Sequence, residues 1–122
     1  ALEGVINKAT VDRLCAKIVL EVANGPTTPE ADAVLEKSGT IVIPDVLVNA
    51  GGVVVSYFEW LQNREGKIWT EGEVEEKLYQ TMKSAAEDLS AYAKSHGCSL
   101  RVAAYALAME RIVAAEHDRG HF

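Results

Sequence analysis

The spacing of apolar residues changes along the chain, and each change marks a predicted element. Ile18-Val19-Leu20-Glu21-Val22-Ala23 is a β-branched run closed by Asn24-Gly25-Pro26. It predicts a strand over 17–23, largely buried on both faces and followed by a sharp turn. Ahead of it, Ala9, Val11, Leu14 and Cys15 stand near helical spacing behind Asn7, a capping residue type, and predict a short helix over 7–16. Thr27-Thr28-Pro29-Glu30 starts the next helix. A threonine hydroxyl accepts a first-turn N–H, Pro29 needs no partner at the first helical position, and Glu30 follows Thr27 by three residues as in a capping box. That helix runs to Lys37, burying Ala31, Val34 and Leu35, and Ser38-Gly39 stops it. Thr40 to Pro44 reads as a second strand, ended by a proline that cannot donate to a ladder. Strand, helix and strand in this order form a βαβ unit with a parallel pair.

Beyond Pro44 the period becomes helical. Val53-Val54-Val55 alone would suggest a strand, yet Leu47, Ala50, Val54, Tyr57, Phe58 and Leu61 recur at three- and four-residue spacing. One helix over 46–63 is predicted. Arg64 to Lys67 makes a polar turn, anchored to the core by Trp69. Thr70 and Glu73 form a capping box for a long helix with the stripe Val74, Leu78, Met82, Ala85, Ala86, Leu89 and Tyr92 or Ala93, ended by Gly97. A last helix over 99–118 carries Val102, Ala103, Ala106, Met109, Ile112 and Val113. Tyr92, Tyr105 and Met109 fall on these stripes and read as core residues.

Composition narrows the setting. A chain of 122 residues, 48% hydrophobic, can bury one modest core. A net charge of -6 without a basic cluster argues against nucleic acid or an anionic membrane and leaves small molecules or protein as partners. Cys15 and Cys98 lie far apart in helix-like sequence, which fits reduced thiols in a cytoplasmic protein. No apolar run approaches the ~18 residues of a membrane span, and the start lacks the pattern of a signal peptide. Ala1 to Ile6 opens without methionine and reads as the continuation of something longer. The acidic run over 71–76 suits a solvated first helical turn. His117 and His121, with Asp118 between them, supply half a metal site and no third ligand, so no metal is expected.

Candidate chemistry gathers in Asn49-Ala50-Gly51-Gly52-Val53-Val54-Val55-Ser56. Asn49 offers a donor and an acceptor, the glycines allow positive φ or close approach by a flat ring, and the Ser56 hydroxyl can donate to a carboxylate. A small polar ligand lying against backbone suits this set. A glycine turn entering a buried valine-rich element fits it as well. No Ser-His-Asp or Cys-His arrangement emerges from the spacing.

Longer motifs carry a resemblance. Ala23-Asn24-Gly25-Pro26-Thr27-Thr28-Pro29-Glu30-Ala31-Asp32, Pro44-Asp45, Asn49-Ala50-Gly51-Gly52-Val53 and Val55-Ser56-Tyr57-Phe58-Glu59-Trp60 resemble the C-terminal part of the glutamate dehydrogenases, within the Glu/Leu/Phe/Val amino-acid dehydrogenase family. Ala1-Leu2-Glu3, Arg101-Val102-Ala103-Ala104-Tyr105 and Asp118-Arg119-Gly120 extend the likeness over essentially the whole chain. The leucine and phenylalanine enzymes share the Asn49-Ala50-Gly51-Gly52 motif but differ where this chain has Asn-Gly-Pro-Thr-Thr-Pro, which favours glutamate.

The resemblance implies an α/β fold: the second half of a Rossmann-like, doubly wound parallel sheet over 1–45, then a helical segment over 46–122 that packs on it and reaches toward the substrate cleft. It implies NAD or NADP as cofactor, with Asn24 and Gly25 near the nicotinamide-side ribose and Asn49 holding the carboxamide. Val53 is expected to wall the substrate pocket and Ser56 to bind the distal carboxylate of glutamate. The family's catalytic lysine and aspartate and its G-x-G-x-x-G phosphate turn belong to earlier sequence, so no catalytic residue is expected here and this chain alone is expected to be inactive. Other expectations are a hexamer for the complete enzyme and an open sheet edge in the isolated segment. A stand-alone nucleotide-binding or assembly module derived from this fold is the alternative.

Overall fold

The computed structural model describes residues 2–120. A 3-10 turn at Val11–Arg13 precedes β1 (Ile18–Leu20), α1 (Pro29–Lys37), β2 (Ile41–Ile43), α2 (Asp45–Val48), α3 (Gly51–Glu65), α4 (Glu71–His96) and α5 (Leu100–Asp118). β1 and β2 are parallel, Ile18 opposite Ile41 and Leu20 opposite Ile43, so α1 is the crossover of a βαβ unit and the chain is α/β as expected.

The predicted helix over 7–16 shrinks to its 3-10 turn. Asn7 Oδ1 accepts from the Ala9 N–H at 2.9 Å, and Thr10 Oγ1 accepts from the Asn7 N–H and donates to the Val5 carbonyl. Such short side-chain bonds give the backbone an alternative to the helical ladder. Pro29 takes the first helical position of α1 as expected, and the capping threonine is Thr28. Its hydroxyl accepts from the Ala31 N–H, so the box partner of Thr27 is lost. At α4 the box is complete, Thr70 with Glu73, and Gly97 closes the helix at φ 60°.

Successive strand residues face opposite ways. Val19, Glu21 and Val42 face the side where α1 and α5 pack, and Val42 meets the cluster of Val11, Ala31 and Leu35. The other face, with Ile18, Leu20, Val22 and Ile41, is exposed, Leu20 at 62%. The strand is therefore covered on one face among the described residues, not two, because α1 and α5 both lie on the same side of a two-stranded sheet.

A second core forms where α4 and α5 close as a hairpin over α2, with Leu89, Ala93 and Ala103 buried against Leu47, Leu100 and Ala104. Tyr92 is half-buried there, but Tyr105 and Met109 are not core residues: Met109 is 64% exposed, and Val102, Ile112 and Val113 are exposed with it. The inward face of α5 is the Leu100, Ala103, Ala104 and Leu107 stripe. Trp69 is half-buried with its ring 5.6 Å from that of buried Phe58, as its anchoring role required.

Candidate functional site

The single helix predicted over 46–63 is broken in two, and the break builds the site. Pro44, fully buried, ends β2 and caps α2, which lasts one turn before Asn49 (φ -98°, ψ 2°) leaves helical geometry. The Asn49 side chain reaches back to the loop after β1, donating to the Val22 carbonyl at 3.2 Å and to Asn24 Oδ1 at 2.6 Å. α3 then starts at Gly51. Both glycines of the pair are helical with no positive φ, so conformational freedom is not what they provide. A Cβ on Gly51 would stand 3.7 Å from Leu78, where α3 lies on α4. A Cβ on Gly52 would meet nothing within 4 Å.

That open space belongs to a groove of about 710 Å³ lined by Val22, Ala23, Asn24, Asn49, Gly52, Val53 and Ser56. It lies at the carboxyl ends of the two parallel strands, where open α/β sheets bind ligands. Asn24, Asn49, Val53 and Ser56 thus come together from segments some 25 residues apart. Val53 is 74% exposed and forms one wall. Ser56 donates to the Gly52 carbonyl at 3.0 Å. Gly25 does not line the groove. It holds the turn, at φ 53°, with its N–H donating to Asp45 Oδ2 at 2.8 Å.

On the side of the sheet where α1 and α5 pack lies a charge network that sequence reasoning missed. Glu21, 1% exposed, receives Arg101 Nη2 at 2.7 Å on one carboxylate oxygen and Arg101 Nη1 at 3.0 Å and the Asp45 N–H at 3.1 Å on the other. Arg101 Nε also donates to Asp32 at 2.6 Å. Glu21, and then Asp32, drive the guanidinium pKa further upward against the opposing effect of burial. The two bonds to Glu21 and the contact with α1 fix α5 against the sheet, and the Asp45 carboxylate passes that order to the Gly25 turn. A lone carboxylate inside a β-branched run is the signal that could have drawn attention to Glu21. Nothing local identifies Arg101 as its partner, 80 residues away.

Cys15 and Cys98 are free thiols. His117 lies in the last turn of α5, while His121 falls outside the described residues; among those described, no three metal-ligating side chains converge. Among the described residues, no helix is long and apolar enough to cross a membrane.

A βαβ unit with a polar groove at its strand ends defines a piece of an open α/β fold, in which ligands lie at the carboxyl ends of the strands. A family model described as Glutamate/Leucine/Phenylalanine/Valine dehydrogenase matches residues 1–120, and the chain belongs to that family. Among solved structures, glutamate dehydrogenase from Peptoniphilus asaccharolyticus is 47% identical with a TM-score of 0.94; the match covers 100% of this chain and 31% of that one. The leucine-bound, hetero-hexameric glutamate dehydrogenase from Thermus thermophilus is 35% identical with a TM-score of 0.91, over 96% of this chain and 28% of its own. L-tryptophan dehydrogenase from Nostoc punctiforme is more distant, at 27% identity and a TM-score of 0.74, over 96% of this chain and 33% of its own. The chain thus spans about a third or less of the length of these relatives, all of them dehydrogenases.

Proposed function

We propose that this chain is the distal part of an NAD(P)-dependent glutamate dehydrogenase, which converts L-glutamate and water to 2-oxoglutarate and ammonia as hydride passes to the nicotinamide. The observation that carries the reading is the groove itself, where two side-chain amides, an open glycine face, an apolar wall and a hydroxyl converge at the strand ends. These features fit a nicotinamide: an amide to orient an amide, and no Cβ at Gly52 to hold off the ring. The dinucleotide, when bound, supplies the hydride acceptor. The residues of this chain orient it, and orientation is a large part of such catalysis.

In this reading Asn24 and the Gly25 turn stand beside the nicotinamide ribose and Asn49 holds the carboxamide. Val53 walls the pocket for the substrate side chain. Ser56 donates to the distal carboxylate of glutamate, its hydroxyl turning away from the Gly52 carbonyl, since it carries one proton. The catalytic lysine and aspartate and the phosphate turn come from the remainder of the polypeptide, so the 122 residues alone are inactive. Assembly into a hexamer and a cytoplasmic setting complete the proposal. Identity of 47% to one glutamate enzyme against 27% to a tryptophan enzyme supports glutamate as substrate.

The test is Ser56→Ala in the full-length protein. Glutamate binding should weaken by about 1–3 kcal/mol, the range for a hydrogen bond to a charged group, with dinucleotide affinity nearly unchanged. Equal losses for glutamate and an apolar amino acid would remove Ser56 from this role. No glutamate oxidation by the unsubstituted full-length protein would overturn the reading itself.

A further inference from the structure

α2 is one turn long, yet both of its ends grip the loop that follows β1. At its end, the Asn49 amide holds the Val22 carbonyl and Asn24 Oδ1. At its start, Asp45 Oδ2 accepts the Gly25 N–H at 2.8 Å. The loop is thus pinned to one short element on both sides of Asn24. Asp45 is itself held in place. Its other oxygen accepts the Val46 N–H at 2.9 Å, its own N–H donates to buried Glu21 at 3.1 Å, and Arg101 Nη1 stands 3.9 Å away. The Asp45 side chain is only 13% exposed and is absent from the groove lining. Burying a carboxylate is costly unless it is hydrogen-bonded, and bonds to an ionised acceptor are among the stronger ones. Gly4 holds the far side of the same turn through the Gly25 carbonyl, at 2.9 Å. Asp45 is what joins Gly25 to the element that ends in Asn49.

We infer that Asp45 is a positioning residue for the dinucleotide: it touches no ligand and acts through the Gly25 turn, keeping the Asn24 side chain in the groove beside Asn49. The inference rests on the dinucleotide reading above. Without the Asp45 bond the turn samples arrangements in which Asn24 is out of place, and the apparent affinity falls with the fraction of molecules whose groove is formed. The Asn49 contacts remain, so the loop loosens without detaching. Val53 and Ser56 lie on α3, so the proposed contacts to glutamate do not pass through Asp45.

The test titrates the full-length protein with NADH and with NADPH and follows whichever binds. Asp45→Ala should weaken that binding by at least about threefold, the net worth of a modest hydrogen bond, while the KM for glutamate at saturating dinucleotide stays within about twofold. Asp45→Asn keeps an acceptor oxygen for the Gly25 N–H and should restore most of the affinity. With Asn24 already replaced by alanine, Asp45→Ala should cost little more, because its effect passes through Asn24. A loss below about threefold for Asp45→Ala, losses that add in the double variant, or an equal rise in the KM for glutamate overturns the inference and leaves the dinucleotide reading standing. If the unsubstituted protein binds neither dinucleotide, both fall. Should Asp45→Ala fail to fold, hydrogen exchange in the unsubstituted protein decides: the segment over 22–25 should be protected before dinucleotide is added, and exchange at the rate of an unstructured loop overturns the inference.

Discussion

At Gly52, helix stability and ligand access oppose each other. Glycine in a helix costs up to about 1 kcal/mol relative to alanine, and a Cβ at this position would touch no other atom within 4 Å. Gly52→Ala is therefore expected to leave the melting temperature unchanged or raised. The same methyl would enter the groove where the nicotinamide face is proposed to lie, weakening dinucleotide binding by about 1–3 kcal/mol, the usual cost of overfilling a packed site. Calorimetry and a binding titration on one sample check both halves; a stabilised protein with unchanged affinity would place the ring elsewhere. The glycine pair was visible in the sequence, and so were the amide, the valine wall and the serine. How the pair divides its work was not, because the phase of α3 is set by the break at Asn49, and that break is held by a carbonyl 27 residues earlier.

At the level of elements, capped ends were the most legible features. Thr70, Glu73 and Gly97 act where their chemistry indicated, since capping is settled within a few residues. α5 shows the limit of periodicity. Its apolar residues occupy two faces, and the spacing alone could not tell which one turns inward. Val102, Met109, Ile112 and Val113 face out, and Leu100, Ala103 and Ala104 face α4. Arg101, near the start of that helix, contributes more to its placement than the outer stripe does. Arg101→Leu would leave Glu21 buried and unpaired, a change that costs about 3–5 kcal/mol. Urea denaturation of the full-length protein should show that loss as a lower midpoint. Replacing Glu21 with methionine in the same variant should recover much of it, as apolar substitutes for buried ion pairs often do. A loss below about 1 kcal/mol for Arg101→Leu would mean that the pair does not hold α5, since exposed pairs are worth no more than that.

Taken as a whole, the molecule leaves two apolar surfaces uncovered: the sheet face of Ile18, Leu20, Val22 and Ile41, and the outer stripe of α5. Contiguous apolar areas of this kind are uncommon on monomeric proteins. The isolated chain is expected to bind hydrophobic dyes and to scatter light increasingly with concentration. A dye-silent monomer in size-exclusion chromatography would contradict this. The sequence indicated an open sheet edge, but not the bare face, because a β-branched run reads alike whether one side or both are covered. The Glu21–Arg101 bond, spanning 80 residues, also imposes an order on biosynthesis. At 5–20 residues per second, roughly 4–16 s separate the emergence of the carboxylate from that of its guanidinium. Throughout that interval Glu21 is better solvated than buried, so the nascent strand stays unzipped. The Gly25 turn, joined to Glu21 through Asp45, is tied to α5 only once Arg101 has left the ribosome.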